Sequence, residues 1–280
     1  MSEDTWPVPV GDALATAAAP WLEDKVALVA GGGLSGPEGG VGFAFAWLCA
    51  RSGARVAVLD RDPDAGQRTV AALREIGATA EFFEVDVTDD ASVKTAVDAA
   101  AAHFGRIDVV ADSIGGGGTQ PMFDATPDEF ERGMMLNFTA VWFVIRHAQR
   151  HMERGGAIVT ISSGAAEGRG PGMPYSFAKT ALEKMSIGAA ASLAPRGIRV
   201  NCVRVGMIWG AFAARGLTEE QRRLRAENVA LKTEGNNWDI ASAAFFLVTE
   251  QARWITGQVV SVDGGGFAMK NMGQAGSAKK

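Results

Sequence analysis

Tyr175 is the single tyrosine of this 280-residue chain, and it stands four residues before Lys179 in the segment Pro174-Tyr175-Ser176-Phe177-Ala178-Lys179. A tyrosine hydroxyl titrates near pH ~10 and exchanges protons poorly at neutral pH. A lysine four residues further along a helix lies on the same side, and its charge favours the phenolate and lowers the tyrosine pKa. Such a pair can move a proton on or off a carbinol oxygen. A two-serine step, Ser162-Ser163, closes an apolar run about a dozen residues earlier. The competing reading is a surface Y-x-x-x-K pair of the kind chance supplies often. The elements that would have to position these residues decide between the two.

The first such element is a glycine-rich turn, Gly31-Gly32-Gly33-Leu34-Ser35-Gly36-Pro37-Glu38-Gly39-Gly40-Val41-Gly42, placed directly between a β-rich run and the helical stretch Phe43–Arg51. Glycines there let backbone N–H groups approach a pyrophosphate that faces the helix N-terminus. Gly31, Ser35, Gly40 and Val41 are the expected contact positions. Asp60 ends the second β-rich run, where an acid hydrogen-bonds the adenosine ribose and repels a 2′-phosphate. The loop carries Glu38 and neither Lys nor Arg, which favours NAD. Arg61 follows Asp60 and could hold a 2′-phosphate, which leaves NADP as the alternative.

Between residues 25 and 262, short β-rich runs alternate with longer helical stretches. The strands are expected at Lys25–Ala30, Arg55–Asp60, Ala80–Asp86, Ile107–Ser113, Ala157–Ser162, Ile198–Arg204 and Gln258–Val262, and the helices near 41–52, 64–76, 90–104, 127–152, 175–194 and 238–250. This alternation predicts an α/β fold, a doubly wound, Rossmann-like parallel sheet of about seven strands with helices on both faces. The expected organisation is an arm at 1–22, one catalytic domain at 23–266 with a substrate lid at about 206–236, and a tail at 267–280. Hydrophobic residues make up 47%, enough for a sizeable core. No apolar stretch is long enough to span a bilayer, and the acidic, Pro-containing N-terminus lacks a signal pattern, so a cytoplasmic protein is expected. Two cysteines far apart, Cys49 and Cys202, read as reduced core thiols. A net charge of −5 argues against nucleic-acid binding.

Taken together, these residues resemble the short-chain dehydrogenase/reductase family over nearly all of Lys25 to Gly266. The marks are the glycine turn, Asp60, Asp86-Val87 after the third strand, Asn137 in a long helix, Ser162-Ser163, Tyr175 with Lys179, and the closing Trp254-Ile255-Thr256-Gly257-Gln258 and Val262-Asp263-Gly264-Gly265. The resemblance implies that Tyr175 is the acid/base and that Lys179 supports it while binding the nicotinamide ribose. It also implies that a serine orients the substrate oxygen and that Asn137 holds a water in a proton relay. Asp86 and Val87 would contact the adenine, and Ser113, Gly115, Gly206 and Ile208 would complete the cofactor site. Aligning by the strand end selects Ser163 as the serine; the usual spacing to the tyrosine selects Ser162. Ser163 is preferred, because loops absorb a deletion more easily than a strand changes register. By the same likeness a homo-oligomer, dimer or tetramer, is expected.

Three segments depart from the family pattern. The glycine loop is longer than usual, with Ala30 in place of a threonine. The usual N-N-A-G reads Asp112-Ser113-Ile114-Gly115, and the usual Pro-Gly after the sixth strand reads Val205-Gly206. None removes the proton-transfer residues. His147 and His151, four apart, are read as a solvated helix face rather than a metal pair, since no third ligand is evident. The charged run Glu219–Arg225 is balanced in sign and reads as an exposed lid helix. Met207, Ile208, Trp209, Phe212 and Leu217 hint at a mostly apolar substrate pocket, while Glu167 and Arg169 could meet a polar substituent. The expected activity is reversible hydride transfer between NAD(H) and a small secondary alcohol or ketone. The alternatives are another reaction on the same fold (dehydration, epimerisation, a tailoring reduction) and nucleotide binding without turnover.

Overall fold

The structure is a computed structural model that describes residues 20–266, apart from 38, 118, 122, 154, 169–171 and 211–217. Trp6, Glu38, Arg169, Phe212, Leu217 and the tail at 267–280 therefore lie outside the described residues. Seven parallel strands form the central sheet: β1 (Val26–Ala30), β2 (Arg55–Asp60), β3 (Ala80–Glu84), β4 (Val109–Asp112), β5 (Gly156–Ser163), β6 (Ile198–Val205) and β7 (Val259–Val262). Their spatial order is β7-β6-β5-β4-β1-β2-β3. The chain thus winds outward twice from β1, and the two halves part between β1 and β4. A ligand crevice belongs at such a switch point, outside the carboxyl ends of the strands.

The strand runs lack polar alternation because both sheet faces are covered. Val26–Ala30 is buried at every position. Consecutive residues of β1 feed opposite cores, Ala27 and Val29 on one face and Val26, Leu28 and Ala30 on the other. On the first face lie α1 (Val41–Arg51), α2 (Pro63–Glu75) and α8 (Asn237–Val248). There Trp238 meets Phe43 and Trp47 edge-on, with ring centroids 6.3 and 5.6 Å apart. The opposite face carries α3 (Asp90–Phe104), α5 (Ala140–Ala148) and α6 (Tyr175–Leu193), and α4 (Pro127–Met134) packs on α6, Phe130 meeting Phe177 edge-on. The charged run forms α7 (Glu219–Glu227), which begins with a capping box made by Thr218 and Gln221. Both cysteines are free and buried, and burial pushes the Cys202 thiol up to about 11.

Two expectations change. The helix expected over 127–152 is interrupted by a five-residue π turn at Met135–Thr139 before it resumes as α5. The insertion rotates Asn137 into the protein, where it is fully buried. The two histidines do not form a solvated face. His147 is buried and bonds Asp90 of α3 at 2.8 Å, and His151 bonds Asp98 of α3 at 2.6 Å. They join two helices, and among the described residues no cluster of metal-ligand side chains forms. No helix among these residues is long and apolar enough to cross a membrane.

The fit of α2 on β3 is tight at Gly66, where an added Cβ would overlap the Phe82 ring. Helix propensity favours alanine there by about 1 kcal/mol, while overpacking costs about 1–3 kcal/mol. The Gly66→Ala variant is expected to lose about 1–2 kcal/mol in urea unfolding; a gain in stability would show that the contact yields.

Candidate active site

A cleft of about 770 Å³ opens along the carboxyl ends of the strands. Gly31, Ser35, Gly40, Val41, Asp60, Arg61, Asp86, Val87, Ser113, Gly115, Ser163, Tyr175, Lys179, Gly206 and Ile208 all line it. Asn137, the remaining residue singled out from the sequence, lies one layer behind the wall.

At the nucleotide end, three glycines make close approaches that a side chain would block. Gly31 adopts φ +74°, and its Cβ would come within 3.1 Å of the Ser113 carbonyl. A Cβ on Gly33 would lie 2.6 Å from Asp60 Oδ2, and one on Gly42 would overlap the Gly31 carbonyl. Gly40, by contrast, faces open space and caps α1 without any side-chain hydrogen bond, and the first turn of α1 holds no acidic residue. Backbone N–H donors at a helix start with open space before them form a cradle for an anion. These residues fit a dinucleotide diphosphate.

Asp60 ends β2 at the cleft wall. Its Oδ2 accepts the Gly33 N–H at 2.8 Å and its Oδ1 accepts the Asp62 N–H at 3.2 Å. The carboxylate is therefore held in place with lone pairs to spare for a ribose hydroxyl. Asp62, which sequence reading passed over, adds a second acid at this end while capping α2 through the N–H groups of Asp64 and Ala65. Asp86 is braced by Thr88, whose hydroxyl and N–H both donate to Oδ1, and the hydroxyl bond leads in holding this carboxyl below its usual range.

At the other end, α6 carries Tyr175 and Lys179 on one side, with the Lys179 Nζ 5.8 Å from the centre of the Tyr175 ring. Lys179 is 3% exposed and donates to the carbonyls of Ile161 at 2.9 Å and Ile114 at 3.4 Å. The two serines diverge because successive strand residues point to opposite faces. Ser162 is buried, and its hydroxyl donates to Glu183 Oε1 at 2.8 Å. Ser163 is half-buried at the cleft, and its oxygen accepts the Ala165 N–H at 3.2 Å, which leaves its proton available. Asn137 spends its amide on Gly116, accepting its N–H at 2.9 Å and donating to its carbonyl at 3.0 Å, and donates also to the Gly133 carbonyl. A Cβ on Gly115 would lie 3.0 Å from Asn137 Oδ1 and 3.2 Å from Lys179 Nζ, so this glycine lets the wall sit directly on both groups.

Two polar features took their character only from the fold, although Asp112 already stood out in the sequence as a departure from the family pattern. The first is a chain of ion pairs: Arg204 of β6 forks onto Glu183 of α6, with Nε to Oε1 at 2.8 Å and Nη2 to Oε2 at 2.7 Å, and also pairs with Glu167 after β5. A hydrophobic strand context concealed Arg204, and only the register beside Ser162 and the helix turn after Lys179 bring these groups together. The second is Asp112, 1% exposed at the end of β4, with Oδ1 accepting the Ile114 N–H and no partner on Oδ2. Burial pushes its carboxyl up to about 7, against the downward pull of that N–H and of the Lys179 charge.

The family profile described as enoyl-(acyl carrier protein) reductase matches residues 36–266. The 7alpha-hydroxysteroid dehydrogenase of Escherichia coli K12 is 31% identical over 89% of this chain and 97% of its own. Momilactone A synthase of Oryza sativa subsp. japonica is 35% identical over 87% of this chain and 90% of its own. A blue fluorescent protein from a metagenomic library, solved in complex with NADPH, superposes with a TM-score of 0.79 at 33% identity, covering 88% of this chain and 98% of that one. The chain belongs to the short-chain dehydrogenase/reductase family, and is an oxidoreductase of the kind that works with nicotinamide cofactors on CH–OH or carbonyl groups.

The Asp112 carboxyl sets a pH dependence of stability. Its folded pKa lies above the ordinary value, so the cost of burying the charge is absent below about 4, grows between about 4 and about 7, and stays constant above that. Asp112→Asn is therefore expected to stabilise the protein at pH 8 relative to wild type, by up to ~4 kcal/mol, and to do so far less at pH 5. Equal shifts in urea midpoint at both pH values would refute this.

Proposed function

We propose that the protein catalyses reversible oxidation of a secondary alcohol to a ketone with NAD(H). The observation that carries this reading is the convergence of Tyr175, Lys179 and the available Ser163 hydroxyl at one end of a cleft whose other end is closed by a fixed Asp60. A bound nicotinamide supplies or takes up the hydride. Ser163 and Tyr175 hold the substrate oxygen by hydrogen bonds, and Tyr175 gives or takes its proton. Lys179 stabilises negative charge on the phenol oxygen, and the two carbonyls it bonds keep its ammonium aimed at the site. Asn137 holds the 115–116 wall segment at its distance from Lys179.

NAD is favoured over NADP by charge. Asp60 and Asp62 put two carboxylates at the nucleotide end of the cleft, and Arg61, the neighbouring cation, is exposed and close enough to Asp86 to act on its carboxyl. The relative named a hydroxysteroid dehydrogenase supports a hydroxyl-bearing substrate for this chain as well. Glu167, Arg204 and Asp263 at the substrate end, beside Leu136, Met207 and Val229, suit a substrate that joins apolar and polar surface.

Turnover of a panel of secondary alcohols is expected to fall by about 10²–10⁴-fold in Tyr175→Phe with NADH affinity retained. Ser163→Ala is expected to lower kcat in the same assay, whereas Ser162→Ala should lower stability and spare kcat; unchanged turnover in Tyr175→Phe refutes the mechanism. Titration by nicotinamide fluorescence is expected to show tighter NADH than NADPH binding, with the preference lost in Asp60→Ser. A wild-type preference for NADPH would assign the pocket to Arg61 instead.

A further inference from the structure

Among the described residues four cations line the cleft: Arg61, Lys179, Arg204 and Arg225. Two are committed: Lys179 serves two carbonyls, and Arg204 is forked onto Glu183 and paired with Glu167. Arg61 is exposed at the adenosine end, near enough to Asp86 to act on its carboxyl. Arg225 differs. It sits in the last turn of α7, half-buried, and its one hydrogen bond among the described residues runs from Nη2 to the Ile208 carbonyl at 3.3 Å. The acid nearest in effect is Glu234, and that carboxylate is already gripped by Arg222 through Nε at 2.8 and 2.6 Å and through Nη2 at 2.6 Å. Burial, opposed by Glu234, holds the Arg225 guanidinium below its ordinary value. A partly desolvated cation with a neutral partner is costly until an anion reaches it.

The surroundings say where that anion would lie. Arg222, one turn earlier, stacks 4.0 Å over Trp209, which fixes α7 against the Ile208–Trp209 segment. Asn237 ties the same region to the nucleotide loop by donating to the Gly39 carbonyl at 3.0 Å. Gly210 leaves no room for a Cβ beside that amide. The uncapped start of α1 at Gly40 opens into the same cleft. The glycine turn itself contains no Lys or Arg; the cation that reaches it from α2 is Arg68, which donates from Nε to the Leu34 carbonyl at 2.9 Å.

We infer that Arg225 is an oxyanion-binding residue that the lid helix contributes to the cleft, taking either the cofactor diphosphate or an acidic group of the substrate. A planar guanidinium with several N–H donors suits both, since it grips phosphate and carboxylate oxygens two at a time. This rests on the dinucleotide-dependent reading above and adds to it a lid that binds charge.

The test compares wild type with Arg225→Met, which keeps the apolar stem, and Arg225→Lys, which keeps the charge. NADH binding is followed by fluorescence, and inorganic pyrophosphate and adenosine binding by calorimetry. A ketone bearing a carboxylate is assayed beside its methyl ester. For the diphosphate, Arg225→Met weakens NADH and pyrophosphate by roughly 10- to 100-fold, leaves adenosine unchanged, and Arg225→Lys recovers part of the loss. For the substrate, cofactor and pyrophosphate affinities stay level while KM for the acid, and not for the ester, rises by a similar factor. No change in any of these overturns the inference. If wild type binds neither NADH nor NADPH, the proposed function fails instead; pyrophosphate binding that depends on Arg225 would then still uphold the anion site, and its absence would remove that as well.

Discussion

The site depends on one buried ammonium. Lys179 projects from α6 into a nearly dry space and donates to carbonyls at the ends of two neighbouring strands, Ile114 beyond β4 and Ile161 within β5. A charge so placed would be prohibitive without partners, and strand-end carbonyls supply them at no further cost in charge. The same bonds hold the first turn of α6, and with it Tyr175, over the place where the sheet divides. Gly115 must lack a side chain because the wall passes over Lys179 and Asn137 within about van der Waals distance. The π turn in the preceding helix exists in service of that contact, since it swings Asn137 inward to hold Gly116.

A second layer of charge braces the first. Glu183 lies one helical turn after Lys179, and Arg204 bridges it to Glu167 across the substrate end of the cleft. Ser162 joins the chain through Glu183, which separates it chemically from its neighbour Ser163. Two adjacent serines thus have different partners because the strand turns them to opposite faces. The network ties α6, β5, β6 and the turn after β5 together. Buried ion pairs of this kind tend to specify geometry rather than add stability.

Much of this was legible from residue order. Apolar runs without alternation, such as Val26–Ala30, announced strands covered on both faces, and their spacing with helical stretches implied the parallel sheet. The glycine turn was readable because its position between strand and helix has one main use. Tyr175 and Lys179 were readable because helical spacing alone puts them on one side. The interruption of the helix over 127–152 was hidden, since a π insertion changes register without changing composition. The histidines misled because a four-residue spacing shows which side they share and not what that side meets; α3 supplies Asp90 and Asp98 from about fifty residues away.

The sequence by itself determined the order of the elements along the chain, the conformational freedom of the nucleotide turn and the pairing of tyrosine with lysine. These are local properties, carried by propensity and by spacing within a single helix or strand. Tertiary structure alone decided that Ser162 is bonded to Glu183 while Ser163 accepts only a backbone N–H, that one oxygen of the buried Asp112 has no partner, that Arg204 is spent on two carboxylates, and that Arg225 bonds a carbonyl. Each of those outcomes depends on the dielectric surroundings and on partners distant along the chain, and neither is set until the sheet brings them together.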